Sequence, residues 1–165
     1  MTTTTITSTV SSFGIAATAN ILSPSVQYLQ PDENDTGVNY LGILASTSSP
    51  VAGTLTSWHL SGGHLQDYLG QYAQQDAGAT SEWIWVDTQA NIAANGWIYI
   101  DFIVDPSTLA ITARGSDTGN SVLQICEFQT GPSGAFYLDL SKVAGTHEQT
   151  SNSICYPVVL SALPL

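Results

Sequence analysis

Apolar and polar residues alternate most strictly between Glu82 and Val104, where EWIWVD and WIYIDFIV flank the polar stretch TQANIAANG. A period of two belongs to a strand, so the pattern predicts two strands joined by a loop as an antiparallel hairpin. Ile84, Val86, Ile98, Ile100, Phe102 and Val104 fall on an aliphatic side. Trp83, Trp85, Asp87, Trp97, Tyr99, Asp101 and Ile103 fall on the other, which is aromatic and carries two carboxylates. Residues opposite one another across an antiparallel pair project the same way, so each side adds up across the hairpin.

Elsewhere the pattern predicts short strands separated by turns. SVQYLQ (25–30), VNYLGILAS (38–46), TLTSWHL (54–60), TLAITAR (108–114), SVLQICEF (121–128) and AFYLDLSK (135–142) read as strands. Gly, Pro, Asp and Ser punctuate them. FGIAATANIL (13–22) fits a strand or a short helical turn, and Pro24 ends it. In the last segment, ICYPVVLSALPL, Pro157 and Pro164 point to an edge strand. Residues 1–12, rich in Thr and Ser, form either a flexible tail or an edge strand. One helix is expected at residues 64–76, because Leu65, Tyr68, Leu69 and Tyr72 recur at i, i+3, i+4 and i+7. Ser61 is its candidate cap and Gly78 its stop, while Gly70 inside it costs about 1 kcal/mol relative to Ala.

Composition adds to this. Nineteen Thr and nineteen Ser supply the polar surface, and both residue types suit strands and turns. Only two Lys and Arg stand against 13 Asp and Glu, for a net charge of −11. A nucleic-acid partner needs a basic footprint that this chain lacks, and anionic membrane surfaces are disfavoured for the same reason. No apolar run is long enough for a membrane span. No signal peptide is visible after Met1, although the low-lysine, hydroxyl-rich composition favours an extracellular or cell-surface location. Cys126 and Cys155 allow one intramolecular bridge or two unpaired core thiols. The exported look of the composition favours the bridge.

The aromatic side of the hairpin is the leading candidate for chemistry. Sugars present apolar C–H faces that stack on Trp and Tyr, and hydroxyls that Asp, Asn and Gln hydrogen-bond. Trp83, Trp85, Asp87, Trp97, Tyr99 and Asp101 offer both, with Asn91 and Asn95 in the joining stretch. The competing reading is packing, since large aromatics also fill cores. Buried carboxylates without cations are costly, however, so the Asp ends are expected in water. Glu82, Asp87 and Asp101 could also serve glycoside hydrolysis if brought together. That is the least unlikely enzymatic reading of a chain expected to be non-enzymatic. Asp32, Asn34 and Thr36 alternate before Gly37 as in a calcium loop, but Ile43 stands where the distal Glu belongs, leaving an acidic turn as the simpler account. Asn34-Asp35-Thr36 is also a glycosylation sequon. His59, His64 and Asp67 surround SGG without matching a metal motif, and no GxSxG, GxGxxG, Walker loop or CxxC occurs.

The sequence therefore predicts one all-β domain over residues 1–165, a two-layer, jelly-roll-like antiparallel sandwich with one short helix. Its expected function is lectin-like glycan binding, without a cofactor. The alternative is a structural protein, a homo-oligomer assembling through its edge strands into a fibre, coat or surface layer.

Overall fold

The computed structural model describes residues 12–32, 41–54, 56–115, 117–127, 135–145 and 153–165. The first half of the chain forms β1 (Phe13–Thr18), β2 (Val26–Pro31), β3 (Leu41–Ser46), β4 (Trp58–Ser61), β5 (His64–Asp67) and β6 (Tyr72–Gln75). Then come β7 (Ser81–Trp83), β8 (Trp85–Asp87), the helix α1 (Gln89–Asn95) and β9 (Ile98–Val104). The remainder is β10 (Ala110–Gly115), β11 (Val122–Glu127), β12 (Phe136–Ser141), β13 (Cys155–Pro157) and β14 (Val159–Pro164).

The all-β expectation holds, but the two-layer sandwich does not. Seven antiparallel strands close into a barrel, and further strands extend from it. One closed circuit runs β1–β2–β3–β8–β6–β5–β4 and back to β1. Closure pairs strand edges that a sandwich would leave open. β9, β10 and β14 bridge from β5 and β6 round to β1, while β12, β11 and β13 extend outward from β3. Phe13, Ile15, Leu29, Ile43, Trp58, Ile100 and Phe102 are among the buried side chains of the common core. Trp58 also donates its indole N–H to the Leu29 carbonyl at 3.0 Å. β14 is no edge strand, being flanked by both β1 and β10; residues 1–11 lie outside the described set.

Two local predictions exchange places. Residues 64–76 are a β-hairpin, β5 and β6, rather than a helix. Gly70 at φ +80° takes the left-handed conformation that a helix interior excludes. The Asp67 carboxylate and carbonyl accept the Gln71 and Gly70 amides, at 2.8 and 3.1 Å, and so fold the turn. The helical spacing of Leu65, Tyr68, Leu69 and Tyr72 is thus coincidental: Leu65 enters the core, whereas Tyr68 and Leu69 sit exposed at the tip. The one helix among the described residues lies instead in the supposed loop 88–96. Thr88 caps it by accepting from the Asn91 amide at 3.3 Å, Gly96 ends it in the left-handed region at φ 69°, and Ile92 anchors it.

The central hairpin is likewise replaced. β8 and β9 do not pair with each other; β6 lies between them and pairs with both. The first predicted strand also breaks at Ile84, whose amide bonds the Leu138 carbonyl while its own carbonyl accepts from Ile43. Trp83 thereby joins β12 through β7, and Trp85 joins β3 and β6 through β8.

Candidate functional site

Register decides what β6 brings to the face turned away from the barrel core. Gln74 lies opposite Trp85 on one side and Tyr99 on the other. Tyr72 lies opposite Asp87 and Gln66, and His64 lies opposite Asp101. Directly opposed residues share a face, so these side chains lie on the side of the sheet away from Ala73, Val86 and Ile100, which belong to the core. Trp85, Asp87, Tyr99 and Asp101 are therefore on a common face, as expected, but across three strands instead of two.

The rings brace one another. His64 stacks on Tyr99 with centroids 4.7 Å apart and planes 26° apart, and Tyr72 meets Tyr99 edge-on at 5.5 Å. His64 Nδ1 stands 3.3 Å from an Asp101 carboxylate oxygen. His59 hydrogen-bonds the Gln66 amide oxygen, and the Gln66 amide nitrogen donates to the Gly70 carbonyl at 2.8 Å. Gly62 and Gly63, both at positive φ, make the two-residue turn that sets Ser61 opposite His64. No hydrogen bond joins this Ser–His pair.

Beneath the rings are polar groups that the fold leaves unserved. Gln74 is 1% exposed and Asp87 0%. Neither Gln74 Oε1, Gln74 Nε2 nor Asp87 Oδ2 has a hydrogen-bond partner among the described residues. The other Asp87 oxygen is held firmly, accepting from the Thr88 amide at 2.6 Å and from Asn91 Nδ2 at 3.0 Å. Asp87 thus avoids water through amide donors rather than cations, contrary to the expectation that both Asp ends lie in solvent. Only Asp101 does so, its side chain being 47% exposed. Asp87 and Asp101 stand on β8 and β9, which do not pair with each other, so the two do not face each other across one hairpin.

The remaining expected site residues divide. Asn91 positions Asp87, Asn95 donates to the Asn91 carbonyl at 2.8 Å from the exposed side of α1, and Trp97 is half-buried just after the helix. Trp83 is buried in a different cluster, packed with Tyr137 and the Cys126–Cys155 disulfide. It still meets Trp85 edge-on, with centroids 5.8 Å apart. The bridge joins directly opposed residues of β11 and β13, and a disulfide is compatible with an extracellular location. Beside it Asp139 accepts from Gln124 at 2.7 Å and from Ser81 at 3.3 Å, and the Gly145 amide donates to the Gln124 oxygen at 2.9 Å.

Asp32 accepts a hydrogen bond from the Tyr137 hydroxyl, while Asn34 and Thr36 lie outside the described residues. Among the described residues no group of three or more His, Cys, Asp or Glu could hold a metal, and no helix is long and apolar enough to cross a membrane. Asp67, in the barrel wall opposite Trp58, is fully buried, and desolvation raises its pKa above the ordinary carboxylate value despite amide donors from Gln71, Leu69 and Gly70.

Tyr72, Gln74 and Gln66 were missed in the sequence, and His64 was noted only as a weak metal candidate, because a helical pattern concealed the strands that carry them. Their signal was the doubled glycine before His64, which reads as a tight hairpin turn. Comparison with known proteins supplies no relative: no family model, curated protein or solved structure matches the chain.

Proposed function

We propose that this chain is a non-enzymatic, lectin-like glycan-binding protein whose site is the face of β8, β6, β9 and β5 turned away from the barrel core. One observation carries the reading. Three buried polar atoms, on Gln74 and Asp87, lack partners among the described residues, on a face framed by Trp85, Tyr72 and Tyr99. Leaving a buried donor or acceptor unmet costs about 1–3 kcal/mol each, and a ligand hydroxyl removes that cost. Rings beside polar groups match a molecule with an apolar C–H face and a hydroxylated rim. The chain's −11 charge suits neutral partners over polyanions. A glycan array tests this: binding that disappears in Tyr99→Ala and Trp85→Ala supports it, and an array without hits ends it.

A second reading, assembly between copies, draws on a different surface. Val26 and Val159 flank Thr18, and Ile103 flanks Thr112, all on exposed, uncharged positions. Val159 and Ile103 are 63% and 65% exposed. β13 adds an edge strand paired only with β11 among the described residues. Sedimentation of Val159→Lys and Ile103→Lys beside the parent decides it; a parent that is already monomeric at high concentration excludes it.

A further inference from the structure

We infer that the ligand is a neutral sugar with two adjacent free hydroxyls, selected by Gln74 and Asp87 rather than by the aromatic rings. The inference rests on the glycan-binding reading and specifies what that site accepts. A primary amide with both ends unmet needs a partner offering a donor and an acceptor side by side. Each hydroxyl is both at once. In a vicinal diol, one hydroxyl donates to Gln74 Oε1 while its neighbour accepts from Gln74 Nε2. That neighbour keeps its own proton for Asp87 Oδ2, which lies one register step along the same face.

Other sugar substituents fit less well. A carboxylate or sulfate can meet only Gln74 Nε2, and it faces the Asp87 charge in a buried setting, where repulsion is poorly screened. The N–H and C=O of an acetamido group point in opposite directions, so it can serve only one end of Gln74. Stacking on Tyr99 and Trp85 tolerates many sugars because most pyranoses present an apolar face. Discrimination therefore falls to the fixed polar pair. Asp87 is held ready for a hydroxyl, because the Thr88 amide and Asn91 side chain grip one of its oxygens and so fix where the other points.

The test uses the full chain. An array printed with neutral mannose, glucose and galactose oligosaccharides and with glucuronate-containing counterparts first supplies a hit. Titration calorimetry then compares that neutral sugar with its two mono-deoxy analogues, on the parent protein and on Gln74→Met and Asp87→Asn. Expected are binding of neutral sugars without uronates and at least a tenfold loss for one deoxy analogue of each adjacent pair. Gln74→Met should lose a similar factor while melting no lower than the parent, and Asp87→Asn should gain measurable glucuronate binding. The inference is overturned if the parent binds glucuronates as tightly as neutral sugars. It is also overturned if Gln74→Met and both deoxy sugars leave affinity unchanged while Tyr99→Ala abolishes it, which would leave the broader glycan reading standing. An array with no hit overturns both.

Discussion

Beside Trp83, one buried carboxylate is fully engaged: Ser81 and Gln124 both donate to Asp139, the Gly145 amide closes over Gln124, and the disulfide pins the adjacent strands. Around Tyr99, under rings of similar size, Gln74 and one Asp87 oxygen meet nothing among the described residues. Trp83 and Trp85 touch across the boundary between these regions, so both are built from the same short piece of chain. What differs is completeness. A satisfied polar cluster specifies a fold, whereas an unsatisfied one spends stability on something outside it.

The largest predicted effect breaks the closed region. Replacing Cys126 and Cys155 by Ala should lower the unfolding free energy by roughly 3.5 kcal/mol, the chain-entropy value for a loop of this length, as read from urea denaturation. Asp139→Ala comes next. It strands Ser81 and Gln124 in a dry setting and should cost about 2–3 kcal/mol by the same measurement. Tyr99→Ala, beside the unserved Gln74 and Asp87 groups, should cost only about 1 kcal/mol of stability while abolishing sugar binding. If Asp139→Ala proved as harmless to stability as Gln74→Met, the distinction between the two regions would collapse.

A smaller effect comes from a third carboxylate. Asp67 resembles Asp87 in having one oxygen served by an amide and the other unserved, but it lies opposite Trp58, a residue of the barrel core. Its pKa is raised in the folded state by burial. The unfolded chain therefore loses this proton first as pH rises, and folding stability declines from the ordinary carboxylate range up through the raised value. Melting temperature against pH should show that decline in the parent and less of it in Asp67→Asn. The smallest effect belongs to Asp105, whose pKa is lowered by the amides of Thr108 and Ser107 in an exposed turn. Its contribution is present above the ordinary carboxylate range and fades as pH falls through the lowered value. Asp105→Ala should shift melting only marginally, and only above that range.

Strand alternation carried most of the fold. The segments around Val26, Ile111, Ile125 and Leu138 are strands near their expected limits; burial alternates along β2 and β10, whereas the central residues of β11 and β12 are buried on both faces. Closure into a barrel was not legible, since it depends on pairings such as Phe13 with Trp58 that no local pattern announces. The 64–76 error has a specific cause. At its tip, Tyr68 and Leu69 are apolar yet exposed, and they completed a helical spacing that Gly70 contradicts. Within the site, Trp85, Asp87, Tyr99 and Asp101 were found because alternation marks a shared face. Gln74 was not, because a polar residue in a misread helix looks like any solvated one.

The position of β6 between β8 and β9 has a thermodynamic side. No single hairpin contains Gln74, Asp87 and Tyr99 together, so the site has no local precursor and exists only once the strands have assembled. Whatever binds there binds the native state alone and is linked to the unfolding of the whole barrel. At a hundred times its Kd, such a ligand would add about 2.7 kcal/mol to the unfolding free energy. A thermal-shift screen can then find ligands for this protein without a prior assay for its activity.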